Sequence, residues 1–136
     1  MQPIAFAAPE QIAYILFTSG STGKAKGVAI SHANLSAYLE AVAQIVALGP
    51  GDRHSQTFEL TFDLSVHDLL VSWTRGAHLM VLQQHELANP AEFIRSNQLT
   101  SWFSVPTMAH QIELQHGLVS GAFPSLRWSL FCGEGL

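Results

Sequence analysis

Four hydroxyl side chains, three glycines and two lysines fall within the ten residues Thr18-Ser19-Gly20-Ser21-Thr22-Gly23-Lys24-Ala25-Lys26-Gly27, and those lysines are the only two in the chain. This combination of residue types is suited to holding phosphate. Glycine admits positive φ and lets successive backbone N–H groups close on an anion, where a Cβ would stand in the way. Hydroxyls add donors, and lysine adds mobile positive charge. The run lies between two apolar, strand-like blocks, Tyr14-Ile15-Leu16-Phe17 and Val28-Ala29-Ile30. The P-loop of nucleotide triphosphatases needs Gly, four residues, Gly-Lys-Ser/Thr and an immediate helix. Here only two residues separate Gly20 from Gly23, Ala25 follows Lys24, and a strand comes next. A flexible Gly/Ser linker has a similar composition, but strands tight on both sides and clustered lysines argue against it.

A second stretch, Leu60-Thr61-Phe62-Asp63-Leu64-Ser65-Val66-His67-Asp68, sets Asp63 among apolar neighbours, where a carboxylate is costly unless something pairs with it. Two roles suit it: capping a helix that begins near Ser65, or binding a cationic group. Near the end, Phe131-Cys132-Gly133-Glu134 offers a lone cysteine, whose commonest role is that of a small buried hydrophobe. Seven histidines stand at 32, 54, 67, 78, 85, 110 and 116. None pair at i, i+4 and no cysteine or carboxylate completes a zinc pattern, so no metal site is expected. Trp73, Trp102 and Trp128 read as core.

The elements that must position these residues alternate. After the strand at Val28–Ile30, Ser31 caps a helix whose apolar positions Leu35, Leu39, Val42 and Val46 share one face, stopped by Gly49-Pro50-Gly51. A strand around Arg53–Phe58 precedes a helix with Val66, Leu69, Leu70 and Trp73, ending at Gly76. His78–Leu82 is strand-like. Asn89-Pro90-Ala91-Glu92 has the cap, first-turn proline and acidic third position of a helix start, with Phe93 and Ile94 facing inward. Two further strands, Thr100–Ser104 and Leu126–Phe131, flank a helix between Pro106 and Gly117. The pattern predicts an α/β fold with a mostly parallel sheet joined by right-handed crossovers.

The chain has 136 residues, 48% of them hydrophobic and only 12% charged, with a net charge of -4. That is enough apolar material for a core, and the sparse charge suggests a domain covered on one side by further polypeptide. Six scattered basic residues make no basic face, which argues against nucleic acid. No apolar run is long enough to span a bilayer and no leader-like segment opens the chain, so no membrane is expected and the location reads as cytoplasmic. A single cysteine accords with a reducing compartment.

Phe17-Thr-Ser-Gly-Ser-Thr-Gly-Lys-Ala-Lys-Gly27, followed by Val28-Ala-Ile-Ser-His-Ala-Asn-Leu35, resembles the phosphate-binding signature of the adenylate-forming (AMP-binding) enzymes. That superfamily includes acyl-CoA synthetases, luciferases and the amino-acid-activating domains of nonribosomal peptide synthetases. Ala25 departs from the family's usual proline, which implies a less rigid loop. Phe62-Asp63-Leu64-Ser65 resembles the segment by which amino-acid-activating members recognise substrate, and Cys132-Gly133-Glu134 resembles the ligases that load D-alanine onto a carrier protein.

The resemblance implies that Thr18, Ser19, Gly20, Ser21, Thr22, Gly23, Lys24, Lys26 and Gly27 bind the phosphates of ATP with Mg2+. It implies that Asp63 binds the substrate ammonium group, that Phe62 lies beside the adenylate, and that Leu64, His67, Ser104, Leu130, Cys132 and Gly133 wall the pocket. A small amino acid such as alanine is the implied substrate, and a phosphopantetheinylated carrier protein the implied acceptor. It also implies that residues 1–136 are the central part of a large N-terminal domain, a fragment lacking the C-terminal lid domain and its catalytic lysine, with the remainder of the enzyme as a further partner. A ligase for a carboxylic acid without an amine, and a truncated, non-catalytic nucleotide-binding relic, are the alternatives.

Overall fold

The computed structural model describes residues 6–18, 25–116 and 118–135. Strands β1 (Ile12–Thr18) and β2 (Lys26–Ser31) pair antiparallel in a two-stranded sheet of their own, with Thr18 opposite Lys26 as the last rung. The seven residues between these strands are too few for a parallel crossover, so the pair stands apart from the mostly parallel sheet. The strands pack closely where Gly27 faces Phe17. A Cβ there would come within 3.2 Å of Ile15 Cγ2 and 3.3 Å of the Phe17 ring.

Helix α1 (His32–Ile45) starts as the sequence predicts. The Asn34 N–H donates to Ser31 Oγ at 3.2 Å and the Ser31 N–H donates to Asn34 Oδ1 at 3.2 Å, a reciprocal box that satisfies two of the donors a helix start leaves open. The main sheet follows: β3 (Arg53–Gln56), β4 (His78–Val81), β5 (Ser101–Ser104) and β6 (Trp128–Phe131), all parallel, in the spatial order β4-β3-β5-β6. Helices α2 (Leu64–Thr74), α3 (Pro90–Ser96) and α4 (Pro106–His116) make the crossovers. Gly76 leaves α2 at φ +69°, a left-handed turn that glycine adopts without a Cβ penalty. Asn89 opens α3 by accepting from the Glu92 N–H at 3.2 Å, with Pro90 in the first turn.

Two apolar clusters cover the main sheet. Ala91, Phe93, Ile94, Leu99, Trp102 and Ile112 form one, with Met80 and Leu82 against it. Val46, Leu48, Val71 and Ala77 form the other, with Leu39, Val42, Trp128 and Leu130. Neighbouring residues on β5 show that they lie on opposite faces: Trp102 packs on Phe93 of α3, while Phe103 packs on His67 of α2. No helix among the described residues is long and apolar enough to cross a membrane.

The expectation for α2 needs correction. Its buried residues are Ser65, His67, Asp68, Val71 and Ser72, and Trp73, expected in the core, is 60% exposed. The inner face of this helix is largely polar because the partners of Asp68 among the described residues lie on the sheet side, where its Oδ2 accepts the Thr57 N–H at 3.1 Å. Small serines on the same face let α2 sit close, and Ser72 Oγ donates back to the Asp68 carbonyl at 2.7 Å. Val66, Leu69 and Leu70 are left half-buried and Trp73 exposed. Cys132, expected to be buried, is exposed, since it follows the edge strand β6 and no described residue covers it.

These placements separate two substitutions of similar chemistry. Ile94→Ala, in the tight cluster, is expected to lower the unfolding free energy by about 3 kcal/mol in denaturant titration, and Trp73→Ala by less than about 1 kcal/mol. Comparable losses at the two positions would contradict this packing.

Candidate functional site

The strand order places a switch point between β3 and β5: the chain runs outward from β3 to β4, then returns past β3 to continue as β5 and β6. In open parallel sheets the crevice outside the strand carboxyl ends at such a point is where ligands bind, because the flanking loops diverge there. Here it is lined by Thr57, Phe58 and Glu59 after β3 and by Val105 and Met108 after β5, with Thr61 and Phe62, enclosing about 300 Å³.

A second cleft, of about 520 Å³, adjoins it. Its walls are Tyr14, Leu16, Phe17, Thr18, Val28 and Ile30 from the hairpin, and Thr61, Phe62 and Asp63 from the segment before α2. Phe62 is common to both clefts. Its ring leans on Phe58 at 6.2 Å between centroids, and Phe58 rests edge-on against Phe103 at 5.0 Å. Ser65 fixes the turn below, its Oγ donating to the Phe62 carbonyl at 2.7 Å.

Asp63 occupies the N-cap position of α2, but its backbone is already helical and its side chain makes no capping hydrogen bond. Of the two roles open in the sequence, the capping bond is not made, and among the described residues the carboxylate lines the cleft wall. Tyr14 registers its field: partial burial, and then the Asp63 charge, push the phenol above its ordinary value. Tyr38 is raised as well, by burial first and then by Tyr14, Cys132, Asp68 and Asp63, which places these groups in one electrostatic neighbourhood.

His67 is buried below this neighbourhood. Its Nδ1 lies 2.7 Å from the Tyr38 hydroxyl and its ring meets the Phe103 ring at 4.6 Å. Burial, reinforced by His54, lowers its pKa to about 4, so the imidazole is neutral near pH 7. Leu64 opens α2, and Gly133, at φ +92°, is close by: a Cβ on Gly133 would stand 3.5 Å from Val105 Cγ1 and 3.7 Å from Leu64 Cδ1. The segment carrying Cys132 and Gly133 is drawn in by the Cys132 N–H donating to the Ser104 carbonyl at 3.2 Å, and by Glu134 accepting from the Thr107 N–H at 3.2 Å.

The structure thus brings Thr18, Phe62 and Asp63 together, with Leu64 and Gly133 as close neighbours. Ser104 and Leu130 are otherwise engaged. Ser104 is fully buried, accepting from the Trp102 indole N–H at 2.9 Å and donating to the Val105 carbonyl at 3.1 Å, and Leu130 packs into the core beside Trp128. Lys26 is exposed at the end of the hairpin opposite Thr18. Ser19, Gly20, Ser21, Thr22, Gly23 and Lys24 lie outside the described residues. Sequence reasoning missed Tyr14, Tyr38, His54 and Asp68. One signal was present for two of them: Tyr14 and Tyr38 are the chain's only tyrosines.

Comparison with known proteins bears on this geometry. The family model described as AMP-binding enzyme matches residues 2–136. An L-proline–[L-prolyl-carrier protein] ligase of Pseudomonas fluorescens is 36% identical over 129 residues, 93% of this chain and 26% of that protein. A D-alanine–D-alanyl carrier protein ligase of Listeria monocytogenes is 37% identical over 126 residues, 90% of this chain and 25% of that protein. The Vibrio cholerae adenylation domain AlmE, solved in complex with glycyl-adenosine-5'-phosphate, superposes with a TM-score of 0.89 at 43% identity, over 95% of this chain and 24% of that one. The chain therefore spans about a quarter of the length of these relatives, and it belongs to the AMP-binding, adenylate-forming enzyme family.

Proposed function

We propose that the protein carrying this chain is an ATP-dependent amino-acid-activating ligase. The observation that carries the reading is that Thr18, at the root of the Gly-rich hairpin loop, and Asp63 line one cleft. A strand end that leads into the phosphate-binding segment and an uncapped carboxylate, both on one cleft, suit a substrate that pairs ATP with an ammonium group. The substrate carboxylate attacks the α-phosphorus of ATP, forming a mixed anhydride as the bond to the β-phosphate oxygen breaks and pyrophosphate leaves. A carrier-protein thiol, that of phosphopantetheine, then takes the acyl group and AMP departs. Holding the reacting atoms in line and neutralising the phosphates contribute most of the rate in such a transfer.

The loop residues 18–27 clamp the β- and γ-phosphates in this reading. Asp63 meets the ammonium group in a charge-assisted contact and rejects acids without an amine, which would leave it unpaired. Magnesium accompanies ATP. Held mostly by phosphate oxygens and water, it needs no more than one or two protein groups, and with Asp63 committed to the amine, the Thr18 hydroxyl is the described group that fits. Phe62, Leu64, His67, Ser104, Leu130, Cys132 and Gly133 form the substrate side, with Ser104 and Leu130 acting by supporting the wall from behind.

The proposed substrate is a small amino acid, alanine the first to try. The relatives named for proline and D-alanine and the neighbour solved with a glycyl adenylate support a small side chain. In the same reading residues 1–136 supply the central part of the large N-terminal domain of a cytoplasmic enzyme, and the lid domain lies elsewhere in the parent protein.

Two outcomes test this. The 136-residue chain alone is expected to give no amino-acid-dependent ATP–pyrophosphate exchange above background, and the parent protein to give it with a small amino acid. In the parent, Asp63→Ala is expected to lower kcat/KM for the amino acid by about 100-fold or more, with far less effect on ATP affinity measured separately. Unchanged amino-acid preference in that variant would favour a ligase for acids without an amine.

A further inference from the structure

We propose that His54, His67 and Asp68 form a buried site for a divalent transition-metal ion, zinc above all, that fastens α2 to β3 beneath the cleft. The sequence gives no zinc spacing and the expectation was of no metal. The three residues converge only because β3 and α2 pack against each other.

His54 and Asp68 have no solvent exposure and His67 has 7%. Each offers a ligand atom, and these atoms all lie within 4.8 Å of one another. Among the described residues His54 Nε2, His67 Nε2 and Asp68 Oδ1 meet no group in hydrogen-bonding geometry, the nearest approach being the 3.4 Å between His54 Nε2 and Asp68 Oδ1. Three such atoms in one buried spot are rare, since buried polar groups are almost always satisfied.

The far side of every one of these groups is held. His54 Nδ1 lies 2.8 Å from Ser101 Oγ, His67 Nδ1 lies 2.7 Å from the Tyr38 hydroxyl, and Asp68 Oδ2 accepts the Thr57 N–H. With Nδ1 carrying the proton toward an oxygen, each imidazole turns its Nε2 lone pair inward. That is how ligating histidines are oriented and fixed in tautomer by an outer partner.

The spacing of His54 and Asp68 agrees with a shared ion, and His67 needs only a small shift to join them. His54 Nε2 and Asp68 Oδ1 are 3.4 Å apart, long for a direct hydrogen bond. Two ligands of a tetrahedral zinc, each bonded at about 2.0 Å, stand about 3.3 Å from each other. Two neutral imidazoles and one carboxylate suit zinc, cobalt or nickel, whereas magnesium and calcium prefer all-oxygen sets. A water molecule supplies the fourth ligand, and the half-exposed Tyr38 covers the solvent side.

The ion would anchor the first turn of α2, just beyond Asp63. This inference rests on the three side chains and not on the ligase reading.

The test is a titration of the chelator-treated protein that carries this chain, first with Co2+ and then with Zn2+. One equivalent of Co2+ is expected to give the strong visible absorption of a tetrahedral centre, and Zn2+ to displace it. Excess Zn2+ is expected to raise Tm by at least about 4 °C. His54→Gln and Asp68→Asn, each near the original volume, are expected to weaken binding at least 100-fold while circular dichroism shows the fold retained. X-ray absorption of the zinc-loaded wild type, expected to show two imidazoles and only nitrogen or oxygen donors, reads the ligand set without any substitution. No tetrahedral cobalt spectrum in the wild type, or a sulfur donor, or binding untouched by either variant in folded protein, would overturn the proposal and leave a buried water as the occupant.

Discussion

Asp68 is a carboxylate with no solvent exposure, and the arrangement of α2 follows from the need to keep it partnered. Burial pushes its pKa up, and His54 and the backbone N–H of Thr57 pull it back. Those partners all lie on the sheet side, so the helix must present Asp68 to β3. A helix has one rotational setting at a time. Fixing Asp68 inward fixes His67 beside it under Tyr38, leaves Trp73 exposed, and delivers Asp63 at the helix start to the cleft. Removing a buried charge's partner costs more than a typical surface change, so this setting is strongly specified.

The sheet shows the same economy at its centre. β3 and β5 share one register pair, His54 with Ser101, where β3–β4 and β5–β6 share four each. Side chains make up the difference. The Phe103 N–H donates to Ser55 Oγ at 2.8 Å, Thr57 Oγ1 donates to the Phe103 carbonyl at 2.6 Å, and the Arg53 N–H donates to Thr100 Oγ1 at 3.0 Å. A seam held this way lets the strands separate toward their carboxyl ends without leaving backbone groups unpaired. The crevice beside Phe62 opens at that end.

What the sequence revealed was local. Ser31 and Asn89 announced their helices because a cap is a contact over three residues, and β4 showed as an apolar run after the turn at Gly76. Thr18, Phe62 and Asp63 stood out because composition changes sharply around them. The antiparallel pairing of β1 with β2 was not legible, since alternation of elements says nothing about direction when no helix intervenes. Nor was the polar inner face of α2: Leu69, Leu70 and Trp73 follow helical spacing as well as Asp68 and Ser72 do, and only the partners offered by β3 choose between them. Tyr38 and His67 are 29 residues apart in sequence, and His54 and Ser101 are 47 apart, so their meeting is a property of packing alone.

The position of β6 has a bearing on how the polypeptide is made. Among the described residues it pairs with β5 on one side only, and its other edge is open along Trp128–Phe131. An unpaired parallel edge is a template for any extended strand that reaches it, including one from a second nascent chain. During synthesis the interval between the emergence of β6 and its coverage is therefore when intermolecular pairing competes with folding, and slow translation through this region lengthens the exposure.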